Sequence, residues 1–123
     1  MAIPSRLMGS GIAPLAAVNI CGDVADSLTA AGTTNANALA VSAAINRVTT
    51  TALSTGVILL VPEAGAQMVV INSGANALLV YPGGTGVSIN ALTATTGGFS
   101  VAAGGRALFV GTSSTNWFAV LSA

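Results

Sequence analysis

The stretch "QMVVINSGANALLVYPGGTGVSINAL", residues 67–92, decides the fold class. Its apolar residues come in runs of strand length, broken at Ser73-Gly74-Ala75-Asn76 and again at Pro82-Gly83-Gly84-Thr85-Gly86. Runs rich in Val, Ile and Tyr, bounded by Gly, Pro, Asn and Ser, read as strands joined by tight turns. On that pattern 67–72 and 77–82 are expected to form a hairpin across 73–76, with 87–92 as a further short strand. No residue in the stretch carries a charge.

The same grammar extends in both directions. "GVILLVP", from Gly56, reads as a buried strand closed by Pro62. "GFSVAAGGRALFVG", from Gly98, reads as a second hairpin around Ala103-Gly104-Gly105, and "NWFAVL", from Asn116, as a closing strand. Toward the N-terminus the signals divide. "DVADSLTAAG" suits a short helix capped by Asp23 and stopped by Gly32, or equally a strand edge. The Ala-rich segment 36–46 admits a helix, but the alternation of Leu39 with Val41 and the run Val48-Thr-Thr-Thr favour strands. Residues 1–22, with two Pro, three Gly and no sustained period, read as an extended arm.

Short strands at spacings near ten residues, punctuated by Gly-rich turns, define an all-β chain: a single compact β-sandwich or jelly-roll-like barrel of about eight short antiparallel strands. The expected organisation is an extended N-terminal arm over 1–22 and a β-sandwich domain over 23–123. The expected core is Val57, Leu59, Val69, Ile71, Leu78, Val80, Ile89, Phe99, Val101, Leu108, Val110, Trp117 and Val120. A single domain of this length buries roughly two-thirds of the surface its unfolded chain exposes, so a core needs neither metal nor disulfide.

Charge is the anomaly. Only 5% of the 123 residues are charged, against about 25% in an ordinary soluble domain. A chain with so few charges either wets its surface with Thr, Ser, Asn and Gly or hides it by self-association or docking, and an apolar surface of this extent marks an interface. Arg6, Arg47 and Arg106 are too scattered to form the clustered basic face that phosphate backbones require, so nucleic acid is not an expected partner. No apolar run approaches the ~18 residues of a spanning helix, and 4% aromatics are too few for the girdles of an outer-membrane barrel, so no membrane is expected either. "IAPLAAVNIC", from Ile12, is interrupted by Pro14 and Asn19 and has no clear cleavage site, which separates it from a signal segment.

Catalytic chemistry finds few candidates. The chain has no His and no Lys, and its only acids are Asp23, Asp26 and Glu63. Asp23 and Asp26 lie near the arm without an aromatic sugar platform, so capping or pairing with Arg suits them better than glycoside hydrolysis. Cys21 has no His to activate it and no second Cys to pair with. "PGGTG" lacks the Lys that a phosphate-binding P-loop needs. The expectation is a non-enzyme without cofactor or metal. Tyr81, directly before a turn, and Trp117, near the C-terminus, are possible interface residues, Trp117 serving either as a core or an interface anchor.

Beyond these derivations, "VINSGANALLVYPGGTGVSINAL" followed by "FSVAAGGRALFVGTSSTNWFAVL" resembles small structural proteins of tailed bacteriophages. The matching positions are Asn72, Gly74, Ala75, Asn76, Leu78, Val80, Tyr81, Pro82, Ile89, Asn90, Ala103, Gly104, Phe109 and Trp117. The opening "MAIPSRLMGSG" resembles the start of such proteins, and the likeness is firmest over 56–121. Ala91 departs from the pattern, which often has Gly there. The best-fitting role is a head decoration, or cement, protein. The resemblance implies a β-rich chain, often a homotrimer, on the outer capsid surface of the virion where major capsid protein subunits meet, made in the host cytoplasm. In that setting Ile3, Pro4, Leu7, Met8 and Ile12 of the arm are candidates for gripping a neighbour, the alternative being that the arm folds back on its own domain. A tail or fibre component, including a receptor-binding tip, is the rival reading, and a carbohydrate-binding module the third.

Overall fold

A computed structural model describes residues 3–93 and 98–122. Among them two short helices precede eleven strands. The helices are α1 (Pro4–Gly9) and α2 (Pro14–Cys21). The strands are β1 (Val24–Thr29), β2 (Leu39–Ala40), β3 (Ile45–Thr50), β4 (Gly56–Ile58), β5 (Gln67–Asn72) and β6 (Leu78–Tyr81). They continue as β7 (Ser88–Ile89), β8 (Leu92–Thr93), β9 (Phe99–Val101), β10 (Arg106–Gly111) and β11 (Asn116–Leu121). A seven-stranded sheet runs in the order β1-β3-β5-β10-β11-β7-β8, and a four-stranded sheet in the order β2-β4-β6-β9.

The connectivity corrects the hairpin reading. From β1 to β6 successive strands alternate between the two sheets, so each circuit of the chain adds one strand to each. Strands laid down on successive circuits run the same way, which makes β1/β3, β3/β5, β2/β4 and β4/β6 parallel pairs. The expected all-antiparallel set of about eight strands is therefore replaced by mixed pairing. The segment 73–77 carries the chain from β5 in the larger sheet to β6 in the smaller one, and 102–105 carries it back from β9 to β10. Neither is a hairpin. Among the described residues, the antiparallel strand pairs are β5/β10, β10/β11, β6/β9 and β7/β8, with one isolated antiparallel bridge from Ala31 to Gly56.

The arm is not extended over its length. Pro4 and Pro14 each sit in the first turn of a helix, where a missing N–H costs nothing and a fixed φ favours the helical start. Between them lie the expected anchors: Ile3, Pro4 and Leu7 are half-buried, while Met8 and Ile12 are exposed. Residues 1 and 2 lie outside the described residues. The segment after Asp23 is a strand rather than a helix, with a bulge between Ala25 and Leu28 where Ser27 takes φ +57°. The Ala-rich segment also resolves as strand, in β2 and β3.

One core is shared by both sheets. Val48, Val70, Phe109 and Trp117 from the larger sheet meet Val57, Leu78, Val80 and Val101 from the smaller, all fully buried. Phe99 and Phe109 bridge the sheets edge to face, ring centres 5.6 Å apart. Val57, Leu59, Leu78, Val80, Ile89, Val101 and Trp117 occupy the core as expected. Along β5 and β10, however, the inward set is Met68 and Val70, and Ala107 and Phe109. Val69, Ile71, Leu108 and Val110 point outward, and Val120 is exposed. A strand's side chains alternate with period two, so a one-residue error in phase exchanges the whole set.

The corner after β5 is held by polar groups. The buried amide of Asn72 donates to the carbonyls of Asn76 (2.8 Å) and Val101 (2.9 Å), and its Oδ1 accepts the Gly74 N–H (3.0 Å). Thr51 Oγ1 donates to the Asn76 carbonyl (3.0 Å) and accepts its N–H (3.1 Å), while Asn76 Nδ2 donates to the Thr51 carbonyl (2.8 Å). Gly74 is required by proximity: a Cβ there would strike Thr51 Oγ1 and stand 2.8 Å from the Thr51 nitrogen. Gly74→Ala is therefore expected to destabilise the fold by about 3 kcal/mol, read as a lowered urea midpoint at unchanged slope. Gly83 plays the same part in the "PGG" turn, where a Cβ would collide with the Leu59 carbonyl.

Candidate interaction surfaces

Tyr81 and Trp117, read from sequence as possible interface residues, lie in the core. Tyr81 is 4% exposed, lies against Gly56 and donates its hydroxyl to the Thr33 carbonyl (3.3 Å). Trp117 is 1% exposed and donates its indole N–H to the Leu60 carbonyl (3.1 Å). Both are large rings whose single polar atom finds a backbone acceptor, the usual condition for burying them.

The exposed apolar residues lie elsewhere. One group belongs to the helical segment: Met8, Ile12, Leu15 and Ile20. No residue of α1 is buried, and in α2 only Ala17 is. Of the arm residues expected to grip a neighbour, Met8 and Ile12 thus stand free, while Ile3, Pro4 and Leu7 are partly covered.

The second group occupies the outward face of the seven-stranded sheet. With Trp117 turned inward, the pleat of β11 turns Phe118 and Val120 outward. Through consecutive register pairs, Val24, Ile45, Val69, Leu108 and Val120 form one row across β1, β3, β5, β10 and β11. Beside it a groove of about 380 Å³ is lined by Ile20, Cys21, Ile45, Val69 and Leu108, so the end of α2 walls the middle of the row. Sequence reasoning missed this face because it placed Trp117 and Val120 on one side of the same strand. Residues three apart point to opposite sides, and that signal was available.

Three of the chain's six charged residues, Asp26, Arg47 and Arg106, lie along this face. Arg47 Nη1 pairs with Asp26 Oδ1 at 2.9 Å, and Arg47 Nε donates to Ser73 Oγ at 3.3 Å. The Arg47 hydrogen bond, then the Ser27 N–H, holds the Asp26 carboxyl below its ordinary range. A depressed carboxylate supports the fold above its ordinary pKa and loses that support as pH falls through the lowered one. Both partners are well exposed, so the effect on stability is slight. Asp23, the other acid near the arm, caps nothing helical: its Oδ1 accepts the Ala44 N–H at 2.8 Å.

Among the described residues no three His, Cys, Asp or Glu side chains gather as a metal site, and no helix is long and apolar enough to cross a membrane. Asn46 is buried and donates to the carbonyls of Ala43 (2.7 Å) and Val69 (3.3 Å), leaving its Oδ1 without a protein partner. The site therefore defines a class only: a mostly-β chain with apolar surface on the helical segment and on one sheet face, and further exposed apolar side chains at Leu53, Leu60 and Val61 in the links. Comparison with protein-family models, curated proteins and solved structures gives no match for this chain.

Proposed function

We propose that this chain is a head decoration protein of a tailed bacteriophage, bound as a homotrimer to the outer capsid and bridging major capsid subunits. Its two sheets are read as the layers of a β-sandwich, with the α1–α2 segment as the part that reaches a neighbour. The observation that carries the reading is the pairing of few charges with apolar surface left open on two elements, Met8 and Ile12 on the helical segment and Val24, Phe118 and Val120 on the sheet. The likeness of residues 56–121 to small phage structural proteins supplies the setting.

The physics suits cement. A pressurised shell is strengthened by modest contacts made many times. A trimer engages several subunits at once, and each contact raises the effective concentration of the next. A surface with few charges loses little in desolvation when it docks.

Copy number tests this directly. Mass spectrometry of the parent virion should find this chain at a simple ratio to the most abundant head protein. A handful of copies per particle would move it to the tail, and absence would remove the virion role. In a reconstituted system, Met8→Asp with Ile12→Asp should weaken binding to purified heads at least tenfold. The melting temperature should stay nearly unchanged, because neither side chain is in the core.

A further inference from the structure

The outward face of the seven-stranded sheet has a charge pattern of its own. Two residues along the strands from the apolar row, Arg47 stands opposite Ile71, and Ile71 opposite Arg106. Asp26 continues this second row onto β1 by its ion pair with Arg47. Arg106 forms no ion pair among the described residues. Asp26 receives both Arg47 and the Ser27 N–H on Oδ1, which leaves Oδ2 for a further donor. One end of the face thus carries an unpaired cation and the other an acid with a free oxygen. Arg106 and Asp26 are separated by three strand spacings, about 14 Å.

The apolar row has the same polarity of exposure. Its middle is walled by the end of α2, while its ends are open: Val24 is 63% exposed and Val120 64%, with Phe118 beside it at 49%. A two-fold, face-to-face pairing would bring the α2 ends of both copies onto the middle of the row. Joining unlike ends avoids that. Glu63 is no competitor for Arg106, since it lies against Gly111 at the far end of β10.

We propose that a second copy of this chain packs head-to-tail on this face: Val120 and Phe118 of one copy meet Val24 of the next, and Arg106 donates to the neighbour's free Asp26 oxygen. The contact is heterologous and closes only as a ring. Its size, three, rests on the decoration reading above; the end-to-end contact rests on register, exposure and charge.

The test is the mass of the purified chain in solution across a concentration series, by light scattering after size exclusion. Arg106→Glu and Asp26→Arg should each raise the concentration for half-assembly about tenfold. The doubly reversed variant should recover most of that loss, with circular dichroism confirming that all three variants fold. A wild-type chain that stays monomeric at millimolar concentration overturns the interface. So does assembly indifferent to both reversals, or a double variant no better than the singles. An assembled chain insensitive to these charges would leave the decoration reading standing, because copy number in the head decides that separately.

Discussion

Truncating Trp117 to alanine should lower the unfolding free energy by about 4 kcal/mol. The indole is 1% exposed and belongs to the core cluster that both sheets share. It also anchors the final strand at the point where β11 pairs with β10 through Gly111 and with β7 through Ile89. Alanine would leave a cavity that rigid sheets on both sides cannot collapse. It would also strip the Leu60 carbonyl of its indole donor. Trp117→Phe separates the two losses: it keeps most of the ring volume but not the N–H, and should cost about 2 kcal/mol. Because the chain has one Trp, the measurement is urea unfolding followed by far-ultraviolet circular dichroism. An alanine variant within 1 kcal/mol of wild type would mean that the core does not depend on this ring.

Much of the strand content was legible in sequence, and the reasons are local. Turn residues mark where strands stop, so the boundaries near Asn72, Pro82 and Gly111 are visible without a structure. What local chemistry cannot convey is which sheet the next strand joins. A Gly-containing link suits a hairpin and a crossover alike, and the distinction lies in partners far away in sequence: β5 pairs with β3 and β10, not with β6. Strand phase was partly readable. In "MVVI" every residue is apolar, but Arg106 is charged, and turning it outward fixes Leu108 and Val110 outward and Ala107 and Phe109 inward. The helices of the arm were missed because Pro4 and Pro14 were read as breaks, whereas each sits where a helix begins.

The candidate surfaces were legible only in their cause. Low charge is compatible with a covered surface or with one wetted by Thr, Ser, Asn and Gly and does not say where either lies, and the two most conspicuous rings, Tyr81 and Trp117, proved to be core. The quoted Asn-Ser-Gly-Ala-Asn pattern gains a physical account from this structure. Asn72, Gly74 and Asn76 are each required by the corner they build. The pattern is thus a signature of architecture, and the functional argument falls to Met8, Ile12, Phe118 and Val120, none of which belongs to it.

The corner also gives the second large effect. Asn72→Ala should cost about 4 kcal/mol, although it removes only one small polar group. Asn72 is fully buried. Its loss leaves the Gly74 N–H and the Val101 carbonyl without the partners they have in the native fold. Each such orphan costs about 1–3 kcal/mol where water cannot reach. The Asn76 carbonyl keeps its Thr51 hydroxyl, so the penalty stops short of three orphans. Because Val101 lies on β9 of the smaller sheet and Asn72 on β5 of the larger, this amide is a hydrogen-bonded tie between the two. Asn72→Asp tests whether hydrogen bonding, not volume, is responsible, since the carboxyl has almost the same shape. An ionised Asp there can donate nothing to the two carbonyls, and burial raises its pKa above the ~3.9 of the unfolded chain. A group whose folded pKa is raised is tolerated best below the unfolded value, and stability declines as pH rises through the folded one. Relative to wild type, the aspartate variant should therefore be several kcal/mol weaker at neutral pH and recover part of that difference in acid. Urea midpoints for both proteins at neutral and acid pH decide it. An aspartate penalty that is small, or equal at both pH values, would show that water or a shifted backbone takes over the bonds of Asn72 and that the corner is held by its glycine alone.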